Sequence, residues 1–201
     1  MNIQTIITMI LSYLYGSIPF ALVIGIVFYH TDIRKFGSGN PGGSNAGRVL
    51  GAKAGLICII LDISKCFVVV ELTKLLTNTF DLPPYAIYLS ALACVIGHCY
   101  SVFMKFMGGK AVSVFFGYIL ATNFIVFAIV GLFFLAVLKI TKYVSLASIS
   151  CALVMMAITP FFHYGSVGLC VNAVIVLLLI YKHRANITRL RNKTENKITW
   201  M

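Results

Sequence analysis

The sequence predicts an all-α polytopic integral membrane protein with about seven transmembrane helices, some of them short, the N-terminus outside and the C-terminus cytoplasmic. Composition is the first observation behind this: 60% of the 201 residues are hydrophobic and 10% charged. The mean hydropathy is +0.98, and a soluble domain has roughly 45–50% apolar and 25% charged residues. Second, apolar runs recur as far as residue 181, and no small-residue cleavage site closes the first, so a removed signal peptide does not account for them. Third, Lys and Arg gather in clusters between the runs.

Runs able to cross the hydrocarbon core, which takes about 20 helical residues, cover 3–28, 54–76, 85–104, 145–162 and 166–181. The stretch 111–138 is overlong as one helix and gives two short pieces when divided at Ala-Thr-Asn, 121–123. Arg34, Lys35, Arg48 and Lys53 follow the first run, Lys105 and Lys110 follow the third, and Lys182, Arg184, Arg189, Arg191, Lys193 and Lys197 crowd the last segment. The positive-inside rule places all three clusters in the cytoplasm. The connections at 78–84 and 160–165 carry no Lys or Arg and read as external. Lys139 and Lys142 also belong inside, which needs an even number of crossings after Lys110 and favours the division at 121–123; a single tilted helix is the alternative. With no internal repeat visible, residues 1–201 read as one transmembrane domain whose basic cytoplasmic tail, 182–201, extends the last helix along the membrane surface.

The net charge of +11 sits beside apolar runs, so it points to membrane topology and anionic substrates rather than nucleic acid. Cys58, Cys66, Cys94, Cys99, Cys151 and Cys170 lie in apolar stretches without a C-x-x-C pair and read as small buried residues. The acids Asp32, Asp62, Glu71, Asp81 and Glu195 are scattered, so neither a metal nor a cofactor is expected.

Four polar segments carry candidate chemistry. In FGSGNPGGSNAGRVLG (36–51), glycines including Gly39, Gly42 and Gly43 turn backbone N–H groups toward one point, forming an anion nest. Ser38, Asn40, Ser44 and Asn45 add donors there and Arg48 a planar cationic fork; the same stretch also reads as a simple turn. In KFMGGKAVS (105–113), Gly108 and Gly109 precede Lys110 at the start of an apolar helix, an arrangement favourable to an anion and also to a plain membrane anchor. It lacks the glycine and hydroxyl spacing of a P-loop. Ser145 and Ser148 begin another helix as donors or as caps. His183 and Asn186 are three apart and share a helix face at headgroup depth, where a snorkelling basic helix end is the other reading. Asp62 and Lys65, an i, i+3 pair within an apolar span, brace or join the site, as does His98. The topology puts all four segments on one membrane face. That suits a reaction joining a soluble phosphate-bearing molecule to a lipid-borne partner.

The segments SGNPGGSNAGR, GHCYSVFMKFMGGKA, KYVSLASI and KHRANITRL stand in order along nearly the whole chain, and together they resemble the bacterial acyl-phosphate-dependent glycerol-3-phosphate acyltransferases, the PlsY family. Departures from that pattern are Met107 where many members carry Lys, Val114 where Thr is common, and Cys66 where Gly often stands. The resemblance implies transfer of a fatty acyl group from acyl phosphate to the 1-hydroxyl of glycerol 3-phosphate, giving lysophosphatidic acid and inorganic phosphate in a bacterial plasma membrane. Membrane lipids and other lipid-synthesis enzymes are the implied partners. It places Ser38, Arg48, Lys110, Ser145, His183 and Asn186 in the site, with Arg48, Lys110 and the loop amides on phosphates and Ser145, His183 and Asn186 on glycerol 3-phosphate. The H-x-x-x-x-D pattern of other acyltransferases is absent, because Lys35, Phe103, Gly168 and Thr188 stand five residues after the four histidines. A small transporter of a phosphorylated metabolite is the alternative, although the external connections are nearly bare of charge.

Overall fold

The computed structural model describes residues 2–199, which form ten α-helices and three short 3-10 turns, with no strand among the described residues. The first apolar run is broken: α1 (Ile3–Gly16) and α2 (Phe20–Tyr29) are separated at 17–19, where Pro19 lacks an N–H and its ring blocks a continuous helix. The next helices are α3 (Gly43–Leu50), α4 (Ala52–Phe80), α5 (Ala86–Cys99), α6 (Val112–Thr122) and α7 (Phe124–Thr141). They are followed by α8 (Val144–Ile158), α9 (Gly165–Lys182) and α10 (Arg184–Arg191).

Among the described residues, five stretches are long and apolar enough to cross a membrane: Ile3–Tyr29, Ala86–Met104, Phe124–Thr141, Val144–Phe161 and Gly165–Lys182. The 29-residue α4 has the length but carries Asp62, Lys65, Glu71 and Lys74, and α6 is only 11 residues long.

The chain does turn at Asn123, whose side chain accepts from Val126 N–H and caps α7. Along one straight helix Phe116 and Phe134 would lie ~27 Å apart; their rings are centred 5.4 Å apart, so α7 folds back along α6. Lys110 and Lys139 therefore belong to the same end of the hairpin.

The core is shared by α4, α5, α6, α8 and α9 through buried Cys66, Val70, Cys94, Val95, Phe115, Met155 and Ile175. Without water, helices gain little from burying apolar surface and depend on close packing. α1 and α5 achieve this through Gly16 and Gly97, where an added Cβ would overlap the backbone of Cys94 and Tyr13.

The break between α1 and α2 frees carbonyl groups within the apolar stretch Ile3–Tyr29. Lys65 of α4 satisfies them: its ammonium donates to the carbonyls of Gly16 (3.3 Å) and Ile18, lies 4.8 Å from the Phe20 ring centre, and pairs with Asp62 at 2.9 Å. Both members of the ion pair are buried.

Candidate active site

The glycine-rich stretch is only half loop. Residues 43–50 are helical despite two glycines, each costing about 1 kcal/mol against alanine, because α3 lies close on α4. A Cβ at Gly43 would sit 3.1 Å from the Gly55 carbonyl oxygen. Asn45 is the staple of the loop: its Nδ2 donates to the carbonyls of Ile33 (2.9 Å) and Phe36 (3.2 Å), and its Oδ1 accepts from Ser38 N–H (2.8 Å). The expectation that Asn45 offers donors to an anion is thus corrected, since its amide is spent shaping the loop. The first amides of α3, at Gly43 and Ser44, have no acceptor within the helix and provide its anion-favouring end. One turn on, the Arg48 Nε is buried without a hydrogen-bond partner.

The double-glycine loop works differently from expectation. Its amides face inward, Gly108 N–H to the Cys99 carbonyl (3.1 Å) and Gly109 N–H to that of His98 (2.9 Å), and are not free for an anion. A Cβ at Gly109 would overlap the His98 ring. Gly39, Gly108 and Gly109 all stay outside the main cavity; their contribution is the path of the chain that delivers Lys110 to it. The Lys110 ammonium donates to Asn186 Oδ1 at 2.7 Å. Burial, with Arg189, Arg48 and Lys182 adding to it and Glu195 opposing, pulls its pKa from 10.5 to about 8.

The chain after α9 breaks at His183, makes α10, then turns back, so the tail is no simple helix extension. The His183 Nδ1 lies 2.8 Å from the Leu179 carbonyl oxygen. A carbonyl only accepts, so Nδ1 carries the proton and Nε2 keeps its lone pair. Burial first, opposed by that hydrogen bond, brings the imidazole to about 4 and leaves it neutral at pH 7. The Ser148 hydroxyl donates to its own helix at Val144 O (2.7 Å), a packing arrangement. Ser145 instead donates to Glu195 Oε1 at 2.8 Å, the same oxygen that accepts from Asn186 Nδ2 at 2.6 Å, while Arg189 Nε donates to Oε2 at 2.7 Å.

These groups line one cavity of about 350 Å³. Ser38, Arg48, Lys110, Ser145, His183 and Asn186 all reach it, as do Asn40, Gly42, Gly43, Ser44, Asn45 and Ser148. Its other wall is apolar, with Leu56, Ile59 and Ile63 from α4 facing Phe116, Phe127, Gly131, Phe134 and Leu135 from the α6–α7 hairpin. Leu56 and Leu135 are exposed on the outer surface, so this wall opens sideways. Asp62 and His98 form part of the lining, with His98 Nδ1 3.7 Å from Asp62 Oδ1.

The sequence did not single out Arg189 or Glu195 as site residues. The signal available was that Glu195 is the sole acid after residue 182, within a run of Lys, Arg and Asn.

The chain is similar along almost its whole length to known proteins. The glycerol-3-phosphate acyltransferase family profile matches residues 6–193. The glycerol-3-phosphate acyltransferase of Geobacillus kaustophilus is 44% identical over 198 residues, 98% of each chain. That of Staphylococcus aureus is 41% identical over 200 residues, again 98% of each. The crystal structure of PlsY, an integral membrane glycerol 3-phosphate acyltransferase, superposes in its glycerol 3-phosphate form with a TM-score of 0.90 at 34% identity, covering 98% of this chain and 96% of that one. Its lysophosphatidic acid form gives 0.87, covering 96% and 95%. Four motifs meeting in one amphipathic cavity, a profile match along almost the whole chain and full-length relatives all lead to one assignment: the chain is a multi-pass membrane protein of the glycerol-3-phosphate acyltransferase family.

Proposed function

We propose that this cavity transfers a fatty acyl group from acyl phosphate to the 1-hydroxyl of glycerol 3-phosphate at the cytoplasmic face of a bacterial plasma membrane, releasing lysophosphatidic acid and inorganic phosphate. The observation that carries the reading is the two-sided lining: Arg48, Lys110 and Arg189 at one end, and an aliphatic and aromatic wall opening sideways at the other. Two phosphates match the cations, and a lipid chain matches the wall. The basic clusters around Arg48, Lys110, Lys142 and the tail meet at this end, which supports a cytoplasmic orientation by the positive-inside rule.

An acyl phosphate is a mixed anhydride and already activated, so no protein nucleophile is needed. The ester forms between the glycerol oxygen and the acyl carbon as the bond from that carbon to the phosphate oxygen breaks, and the hydroxyl proton leaves with the phosphate. The protein orients the hydroxyl and stabilises charge as it develops. In this reading Arg48, Lys110 and the first amides of α3 hold phosphate oxygens. His183 Nε2 accepts a hydrogen bond from the attacking hydroxyl. With its pKa near 4 it is a weak base, which supports the leaving phosphate as the proton acceptor.

The test is phosphate release by the purified protein in detergent from palmitoyl phosphate, with and without glycerol 3-phosphate, beside a palmitoyl-CoA control. Release that requires glycerol 3-phosphate, yields lysophosphatidic acid and fails with the CoA donor is expected. Use of palmitoyl-CoA alone would reject the donor assignment. Turnover without a second compartment also separates catalysis from transport.

A further inference from the structure

We propose that Glu195 is a positioning residue for acyl transfer, setting from the chain's returning tail the orientation of Asn186, Ser145 and Arg189 and, through Asn186, of Lys110. This rests on the reaction given above.

A carboxylate only accepts hydrogen bonds, so every neighbour within reach must present a donor. Asn186 turns its Nδ2 to Glu195 Oε1 (2.6 Å), which forces its Oδ1 to the opposite side, where it meets the Lys110 ammonium at 2.7 Å. Without the carboxylate the amide is free to flip and present N–H to an ammonium. Ser145 and Arg189 are held the same way, at 2.8 and 2.7 Å. Lys110 gives one hydrogen to Asn186 and keeps two for a substrate. Arg48 keeps its Nε.

The competing idea is that Glu195 fills a vacant anion site and must leave when phosphate arrives. The anchoring of the tail argues against this. On one side Thr194 N–H bonds the Arg189 carbonyl at 2.8 Å. On the other, Ile198 is 3% exposed, packed with Leu138 and Ala147, and its N–H bonds the Lys142 carbonyl at 2.8 Å. Lys197 lies over the Tyr143 ring at 5.6 Å. The carboxylate is therefore placed by the fold on both flanks.

The titratable and charged groups facing Lys110 are Arg48 from α3, Lys182 and the neutral His183 from the end of α9, Arg189 from α10, and Glu195. Glu195 is the one acid among those acting on it, and it favours the ammonium. Its removal lowers the pH at which Lys110 loses its proton.

The experiment compares full-length wild type, Glu195→Gln and Glu195→Asp in detergent, each checked for a single size and a cooperative melt. With palmitoyl phosphate and varied glycerol 3-phosphate, kcat is expected to fall about 10–100-fold in Glu195→Gln, with KM within about threefold. The alkaline limb is expected to move to lower pH, and Glu195→Asp to recover part of both. An unchanged kcat overturns the proposal. So does a lower KM with kcat kept or raised, the signature of a carboxylate that merely stood in for phosphate. If Glu195→Gln does not fold, Glu195→Asp decides alone: a reduced kcat at unchanged KM supports the role and a wild-type kcat rejects it. If wild type does not use palmitoyl phosphate, the donor assignment fails separately. Calorimetric binding of glycerol 3-phosphate at pH 7 and 9 then decides: binding within about threefold of wild type at pH 7 but more weakened at pH 9 in Glu195→Gln supports the role, and an unchanged pH dependence or tighter binding at pH 7 overturns it.

Discussion

The alkaline limb of activity is expected to report Lys110. The perturbation is pH, and the structure supplies its magnitude: burial among Arg189, Arg48 and Lys182 brings the ammonium from 10.5 to about 8. Only the protonated form holds a phosphate, so the interaction is present below pH 8 and lost above it. The charged fraction is then ~90% at pH 7 and ~10% at pH 9, against ~97% at pH 9 for an ordinary lysine. Because kcat/KM reports the free enzyme, it is expected to fall about 10-fold between pH 7 and 9, while kcat holds further because bound phosphate stabilises the ammonium. The phosphate monoester is a dianion above its second pKa near 6, and His183 and Glu195 titrate well below the window. The assay is initial phosphate release at limiting glycerol 3-phosphate, corrected for spontaneous hydrolysis of the donor. Lys110→Arg, charged throughout, is expected to flatten the limb at lower activity. A wild-type profile flat to pH 10, or the same limb in Lys110→Arg, would refute the reasoning.

Three other changes test the surroundings. Gly109→Ala brings a Cβ against the His98 ring, 2.8 and 2.9 Å from Cε1 and Cδ2; overpacking is expected to cost about 1–3 kcal/mol in the melt. The displaced Lys110 is expected to reduce kcat by about 100-fold, and a variant with wild-type kcat would count against that delivery role. Gly131 lines the apolar wall and has nothing within 4 Å of an added Cβ. Gly131→Phe is expected to penalise long acyl donors by roughly fourfold in kcat/KM per methylene excluded, at about 0.8 kcal/mol each; an unaltered chain-length profile would remove that wall from the acyl path. Lys65→Met strands Asp62 and the Gly16 and Ile18 carbonyls and is expected to cost about 3–5 kcal/mol, partly recovered by adding Asp62→Asn; a single variant as stable as wild type would refute it.

Much of this architecture was legible because the residues that reveal it are unusual in an apolar chain. Lys110 and Lys139 demand an even number of crossings between them, and Asn123 supplies a polar cap where the helix turns. Arg48, Lys110, Ser145, His183 and Asn186 each stand out against their surroundings, so their convergence could be anticipated from topology. What escaped reading depends on partners far along the chain. Gly43 and Gly47 are poor helix formers in a stretch held helical against α4. Asn45 looks like a ligand-facing amide, but its acceptors are the carbonyls of Ile33 and Phe36. Pro19 was visible, yet a run of apolar residues on both sides concealed the break. Glu195 is one acid in a basic tail, and only the burial of Ile198 three residues later brings it inside.

The interruption between α1 and α2 has a consequence for biogenesis. As the chain threads into the bilayer, the carbonyls of Gly16 and Ile18 arrive before their donor, and Lys65 arrives later on a helix that by itself would carry the Asp62–Lys65 ion pair into lipid, each member costing about 2.5–3.5 kcal/mol at a helix centre. Neither segment is a finished unit when released alone. The cheapest order of events retains the first pair at the insertion machinery until α4 stands beside it, so that the two unfavourable segments leave together with those carbonyls and the Lys65 ammonium hydrogen-bonded to each other.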